Sequence, residues 1–402
     1  MKALRNYLDK IKPNFEEGGK LSMFRSVFEG IESFIFVPNA TSKTGVHIHD
    51  SIDSKRTMTV VILALAPALL FGMYNAGYQH YLSIGTNPGF WGTFIYGFLA
   101  VLPVIIVSYV VGLGIEFISA QIKKEEIQEG FLVSGMLIPM IVPVDTPLWM
   151  VALATAFAVV FAKEVFGGTG YNIFNVALVT RAFLFFAYPA SMSGDQVFVR
   201  TASTFGLGGG TVVDAFSGAT PLGQIATAAK EAIGTFQPVD ILGHPLGCMD
   251  LFIGLIPGSI GETSKLAILL GAFILIFTRV ASWKTMLSVF VGGGVTAALF
   301  NLIGSTVAMS VSPTDHLLMG GFAFGAVFMA TDPVTSARTE TGKFIFGFLV
   351  GAMAIVIRVL NPGYPEGMML AILLMNIFAP LIDYYVVESN ISRRNKRVKP
   401  IQ

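Results

Sequence analysis

The chain has 402 residues, 53% hydrophobic and 13% charged, with a mean hydropathy of +0.70 and a formal net charge of +1. Soluble domains carry about 25% charged residues, so an ordinary soluble enzyme is excluded, and the near-neutral balance gives no attraction to nucleic acid. The single cysteine, Cys248, excludes an internal disulfide and an iron–sulfur cluster held by this chain alone. Electrons crossing such a chain would need an organic carrier.

Residues 1–56 mix Lys2, Arg5, Lys10 and Lys12 with Asp9, Glu16 and Glu17, which is no apolar signal core; they read as a cytoplasmic N-terminal extension. His47 and His49 have no cysteine or third ligand beside them and are read as surface histidines, so no metal cluster is expected. Apolar runs then predict five membrane segments near 57–77, 92–118, 130–143, 147–166 and 172–189, the first repeat spanning 57–189. A polar loop, 190–264, follows. Five more segments lie near 265–281, 285–304, 316–331, 344–361 and 366–387, the second repeat spanning 265–388, before a tail over 389–402. The fold class is an all-α polytopic membrane protein.

Segments 130–143 and 316–331 are short of the roughly 20 residues that cross a bilayer. Pro139 and Pro143 are expected to break the first, and Asp332-Pro333 to end the second. Half-helices survive in a membrane only inside protein or lining a cavity. Gly130-Phe131 before Pro143 corresponds to Gly321-Phe322 before Pro333, and Gly170-Tyr171 to Gly363-Tyr364. An odd count of five segments inverts the second repeat, and inverted repeats with broken helices place their site at the repeat interface. The tail carries Arg393, Arg394, Lys396, Arg397 and Lys399 and should be cytoplasmic, with the N-terminus on the same side. Loop 190–264 has six acids against Arg200 and Lys230, so it should face the other side. Trp91, Trp149 and Trp283 sit near segment ends, as interfacial anchors do.

Four groups of residues are candidates for chemistry. Thr220 ends the run Asp214-Ala215-Phe216-Ser217-Gly218-Ala219-Thr220, where small neighbours leave its hydroxyl accessible; a surface turn is the plainer reading of the same residues. Asn172 and Asn175, at i and i+3 on a predicted helix, would face one side and offer paired amide donors and acceptors; capping and interhelical bonding is the alternative. Asp332, Asp383 and Glu116 are carboxylates at membrane depth, where each costs about 2.5–3.5 kcal/mol, and oxygen ligands suit a hard cation. Phe328 and Phe324 precede Asp332 by one and two turns and would form an aromatic gate beside it. Gly112 and Gly114 let backbone approach a flat ring or a neighbouring helix. Lys163-Glu164 and Arg358 occupy similar places in the two repeats as neutralising charge. No glycine-rich dinucleotide fingerprint follows a strand, so NADH should bind elsewhere.

The chain resembles the NqrB/RnfD family, the membrane flavin subunits of sodium-pumping NADH:quinone oxidoreductases and of the Rnf electron-transport complexes. The resemblance rests on Asp50 to Arg56, Phe71 to Gly77, Lys163 to Gly170, Arg181 to Pro189, Pro257 to Glu262, Met329 to Val334 and Asn361 to Met369. It covers nearly the whole length, and the N-terminal extension favours the sodium-pumping branch over the Rnf D-type subunit. The run before Thr220 is similar to the family's flavinylation motif, which implies FMN joined to the Thr220 oxygen as a phosphoester by a flavin transferase, with Asp214, Ser217, Gly218 and Ala219 as its motif. The resemblance further implies non-covalent riboflavin at Asn172 and Asn175, export of sodium, for which the membrane-depth carboxylates Asp332, Asp383 and Glu116 with Phe324 and Phe328 are the candidates, and a quinone region near Gly112 and Gly114. Tyr171 and Val176 depart from the family's neighbours of the two asparagines. Implied partners are the other subunits of the complex (NqrA, NqrC, NqrD, NqrE and NqrF), quinone and Na+, in a bacterial inner membrane. A passive channel on the same helical plan is the rival reading.

Overall fold

A computed structural model describes residues 2–16, 18–25, 28, 30, 32, 35–36, 42, 44–48, 54–123, 130–193, 197–214 and 216–397. His49, Asp50 to Asp53, Ala215 and Lys399 lie outside the described residues. The architecture is helical, and among the described residues the only β pairing is two isolated bridges, Thr204 with Leu207 and Val239 with Pro245. After a short amphipathic helix α1 (Lys2–Ile11), the first run comprises α2 (Ser54–Ser83), α3 (Gly89–Lys123), α4 (Phe131–Ile141), α5 (Leu148–Ala158) and α6 (Val176–Ala187). Helix α5 continues through a π turn, Val159–Lys163, and a 3-10 turn, Glu164–Phe166.

The polar loop holds α7 (Pro221–Thr227) and α8 (Cys248–Ile253). The second run is α9 (Lys265–Phe277), α10 (Trp283–Ile303), the short α11 (Val307–Ser310) and α12 (Pro313–Leu318), α13 (Phe322–Phe324), α14 (Glu340–Leu360) and α15 (Met368–Asn395). Helix α13 runs on as a π turn over Gly325–Met329. Among the described residues six helices are long and apolar enough to cross a membrane, and α4, α6 and α9 are shorter apolar helices. With the broken α13 they account for all ten expected segments. Their outer faces are lined with exposed Leu, Ile and Phe, as a lipid-facing surface requires, and Trp91, Trp149 and Trp283 lie exposed in the first turns of α3, α5 and α10.

The helices pack by close backbone approach. A Cβ on Gly97 would lie 1.7 Å from the Met73 carbonyl oxygen, and one on Gly351 would lie 2.0 Å from that of Val289. These glycines bring α3 onto α2 and α14 onto α10, the small-residue contacts that dispersion needs where no hydrophobic driving force acts.

Three expectations about breaks need correcting. Pro139 does not break its helix: α4 runs through it to Ile141, and only the extended Val142 ends it. Proline frees the carbonyl four residues back. That carbonyl, on Gly135, accepts from the Ser108 hydroxyl on α3 at 3.1 Å, so the helix survives. The segment expected over 316–331 is two pieces, split at Gly320 with φ +61°, and the Arg358 guanidinium donates to the His316 and Met319 carbonyls freed there. Finally, the segment expected from residue 172 begins as helix only at Val176. In both runs the third element is short, but only in the second is it split; in length the others differ, the fifth being short in the first run and the first being short in the second.

Candidate functional sites

Two half-open chambers lie along α6, one at its start and one against its second half. The first, about 110 Å³, is walled by the starts of α2, α4 and α6, the end of α9 and the turn after α13. Asn172, Asn175, Phe328 and Asp332 all line it, so residues expected to serve riboflavin and sodium separately share one cavity. The two asparagines do not sit on a helix face, which corrects the sequence reading. Asn175 is the N-cap of α6, its Oδ1 accepting from the amides of Ala177 at 3.1 Å and Leu178 at 3.3 Å. Its Nδ2 donates to Asp332 Oδ2 at 3.2 Å. Asn172 folds back on its own turn, accepting from Gly170 N at 3.3 Å and donating to the Phe174 carbonyl at 3.0 Å. The tight turn with left-handed Gly167, Gly168 and Gly170 prevents helix there.

Asp332 is held by donors of this chain alone: Asn175, the Thr335 hydroxyl at 3.0 Å and the Val334 amide at 3.0 Å. Phe328 faces the chamber with its ring centroid 5.0 Å from that of the fully buried Phe324, which does not line it. The π turn over Gly325–Met329 replaces the regular helical spacing on which the aromatic gate was drawn. The other two carboxylates stand elsewhere. Buried Glu116 is ion-paired to Lys163, whose side chain lines the chamber. Asp383 accepts from the Arg338 and Thr339 amides and the Thr339 hydroxyl, fastening α15 to the start of α14. Gly112 is buried against the Phe131 ring, where a Cβ would lie 1.9 Å from Cζ, whereas at Gly114 the space is open.

The second chamber, about 90 Å³, contains Thr220 in its wall. Thr220 is half-buried and caps α7, its hydroxyl oxygen accepting from Gly223 N at 3.1 Å. The freely accessible loop position expected from sequence is therefore an anchored one, because the Pro at position 221 starts a helix. Gln224 clamps this turn, bonding the Ala219 and Val239 carbonyls and the Val239 amide at 3.1, 2.8 and 2.8 Å. Of the motif, Gly218 is buried while Asp214 and Ser217 are exposed.

Opposite Thr220 lie charges to which no role falls from sequence. Arg181 of α6 is ion-paired to Glu366 and stands 3.6 Å from Glu262. Lys265 at the start of α9 donates to the carbonyls of Glu262, Thr263 and Gly320. Both carboxylates crowd the bare Cα of Gly321, where a Cβ would fall 2.3 Å from Glu262 Oε2. Within this cluster the Tyr364 hydroxyl is buried without a hydrogen-bond partner, and Glu262 Oε2 has the Arg181 guanidinium at 3.6 Å but no hydrogen bond. Such groups cost about 1–3 kcal/mol each when unsatisfied, so they mark a place for a polar ligand. Arg181, Glu262, Tyr364 and Glu366 belong to the strings that carry the family resemblance, and the signal that singles out the three ionised ones is charge at membrane depth.

Comparison with known proteins shows the family of the chain. A model of the NQR2, RnfD, RnfE family matches residues 41–392. The chain is similar to the B-type subunit of the Na(+)-translocating NADH-quinone reductase of Chromohalobacter salexigens, at 45% identity over 98% of this chain and 97% of that one. The proteins of the same name from Ectopseudomonas mendocina and Pseudomonas aeruginosa are 46% and 44% identical, each over 98% of this chain and 99% of theirs. On a family match spanning the membrane region and relatives aligned almost end to end, the chain belongs to the NQR2, RnfD, RnfE family.

Proposed function

We propose that this chain is the NqrB-type subunit of a sodium-translocating NADH:quinone reductase, carrying FMN esterified to Thr220 and riboflavin in the Asn175 chamber. The names of its relatives support the complex, and their alignment through the N-terminal extension favours this branch over an Rnf D-type subunit. The observation that carries the flavin reading is the convergence of Thr220 with the Glu262 carboxylate and the unbonded Tyr364 hydroxyl on one half-open pocket. A flavin, when bound, accepts and releases electrons one or two at a time.

This chain's residues supply the rest. Thr220 offers the hydroxyl for the ester at the chamber wall, Glu262 an acceptor and Tyr364 a donor for ring edges, and Arg181 fixes the two carboxylates. In the Asn175 chamber each asparagine amide has one N–H uncommitted, so the pair presents donors to carbonyl oxygens of a ring. Asp332 contributes a carboxylate to the path of Na+, the cargo. Quinone is the electron acceptor.

In cells that co-express a flavin transferase, Thr220→Ala removes the fluorescent band on a denaturing gel, because only covalent flavin survives denaturation, and Thr220→Ser keeps part of it. The Ala variant also loses its helix cap, at about 1 kcal/mol, so membrane insertion is checked alongside. A fluorescent Thr220→Ala band overturns the attachment site.

A further inference from the structure

Beside the Asn175 chamber opens a separate cleft of about 410 Å³, formed by the turn between α9 and α10 and by the segment 331–343. Arg279, Lys284, Arg338 and Lys343 line it against one carboxylate, Glu340. Lys284 and Lys343 both bond Glu340. Arg279 and Arg338 are exposed, and among the described residues neither guanidinium has an ion pair or hydrogen bond. The excess of cations is thus concentrated on two unspent forks, each suited to grip two oxygens of a phosphate.

The backbone adds charge of the same sign. The 21-residue helices α10 and α14 both start at this cleft, at Trp283 and Glu340, so two positive helix ends meet there. Arg279 has φ +58°, one of two non-glycine residues with positive φ among the described residues, at a helix-ending position that glycine would occupy with less strain. The surroundings are those of a membrane interface. Exposed Trp283 lines the cleft, exposed Phe277 and Phe344 stand two and one residues from its lining in the chain, and Phe277 stacks on exposed Phe273; the Lys284 ammonium lies 6.0 Å from the Trp283 ring and 5.9 Å from that of Phe344.

We propose that this cleft binds the phosphodiester headgroup of an anionic phospholipid, its acyl chains lying along the aromatic faces of α9 and α14. Phosphatidylcholine carries the same phosphate together with a quaternary ammonium, which the cleft's positive field repels. The cleft and the Asn175 chamber share Val280, Ala281, Thr331 and Pro333, so a headgroup here braces the turn that carries Asp332.

Native mass spectrometry of the full chain in detergent, titrated with phosphatidylglycerol, phosphatidylcholine or inorganic phosphate, tests the proposal. The wild type retains phosphatidylglycerol in preference to phosphatidylcholine. The double variant Arg279→Gly/Arg338→Ala binds phosphatidylglycerol about ten-fold more weakly. Because Arg279→Gly relieves backbone strain, its thermal unfolding temperature does not fall. Equal retention of both lipids, or an unchanged double variant, overturns the site. Inorganic phosphate that binds as tightly as phosphatidylglycerol and displaces it overturns the lipid assignment.

Discussion

Asn175 concentrates the conflict between structural and functional readings in one side chain. It caps α6 and also donates to Asp332, so its replacement by leucine removes a helix cap worth about 1 kcal/mol together with any ligand contact. Asn175→Asp separates the two roles. It keeps the cap acceptor but replaces the donor to Asp332 by a second carboxylate, so like charges oppose each other there. The expected outcome is near-normal thermal stability with an altered sodium dependence of NADH-driven uptake into inside-out vesicles. Asp332→Ala is expected to weaken that dependence more than it lowers flavin content, with Asp332→Asn in between. If both Asp332 variants transport like the wild type, its carboxylate serves only to bind the 334–335 turn and Asn175.

At the scale of elements, broken helices are kept in the membrane by side chains borrowed from neighbours. Ser108 takes the carbonyl that Pro139 frees, and Arg358 and Lys265 take those freed around Gly320. Ser108→Ala leaves the Gly135 carbonyl without its partner and is expected to cost about 1–3 kcal/mol. Thermal unfolding of the detergent-solubilised variant measures it; an unchanged midpoint would show that water reaches α4. Helix α6 is the element that joins the two chambers. Asn175 and Arg181 are six residues apart, roughly 9 Å along its axis, so one short helix presents a ligand-facing residue to each.

For the whole molecule, the basic tail argues that both termini are cytoplasmic and that loop 190–264, with Thr220, faces the opposite side. The single cysteine makes this testable without mutation, since Cys248 is exposed in that loop. A membrane-impermeant maleimide is expected to label it in intact spheroplasts. Labelling only after lysis would invert the topology and move Thr220 to the cytoplasmic face.

The sequence by itself determined the helical membrane class, the ten segments and the family, because long apolar runs admit only one backbone solution in lipid and because the family's strings are contiguous. Its local punctuation was less reliable. Pro139 reads as a break but is rescued by Ser108 from another helix, and Asn172 to Asn175 reads as helix although the glycine turn before it sets a cap. What tertiary structure alone decided is who meets whom. Asn175 and Asp332 lie 157 residues apart in the chain yet share a hydrogen bond. Glu116 and Asp383, which look like companions of Asp332, are bound instead to Lys163 and to the start of α14. Arg181, Glu262, Tyr364 and Glu366 gather opposite Thr220 only because α6, the turn before α9 and the turn between α14 and α15 converge there. A buried charge announces itself in the sequence by its cost, but its partner is chosen by packing.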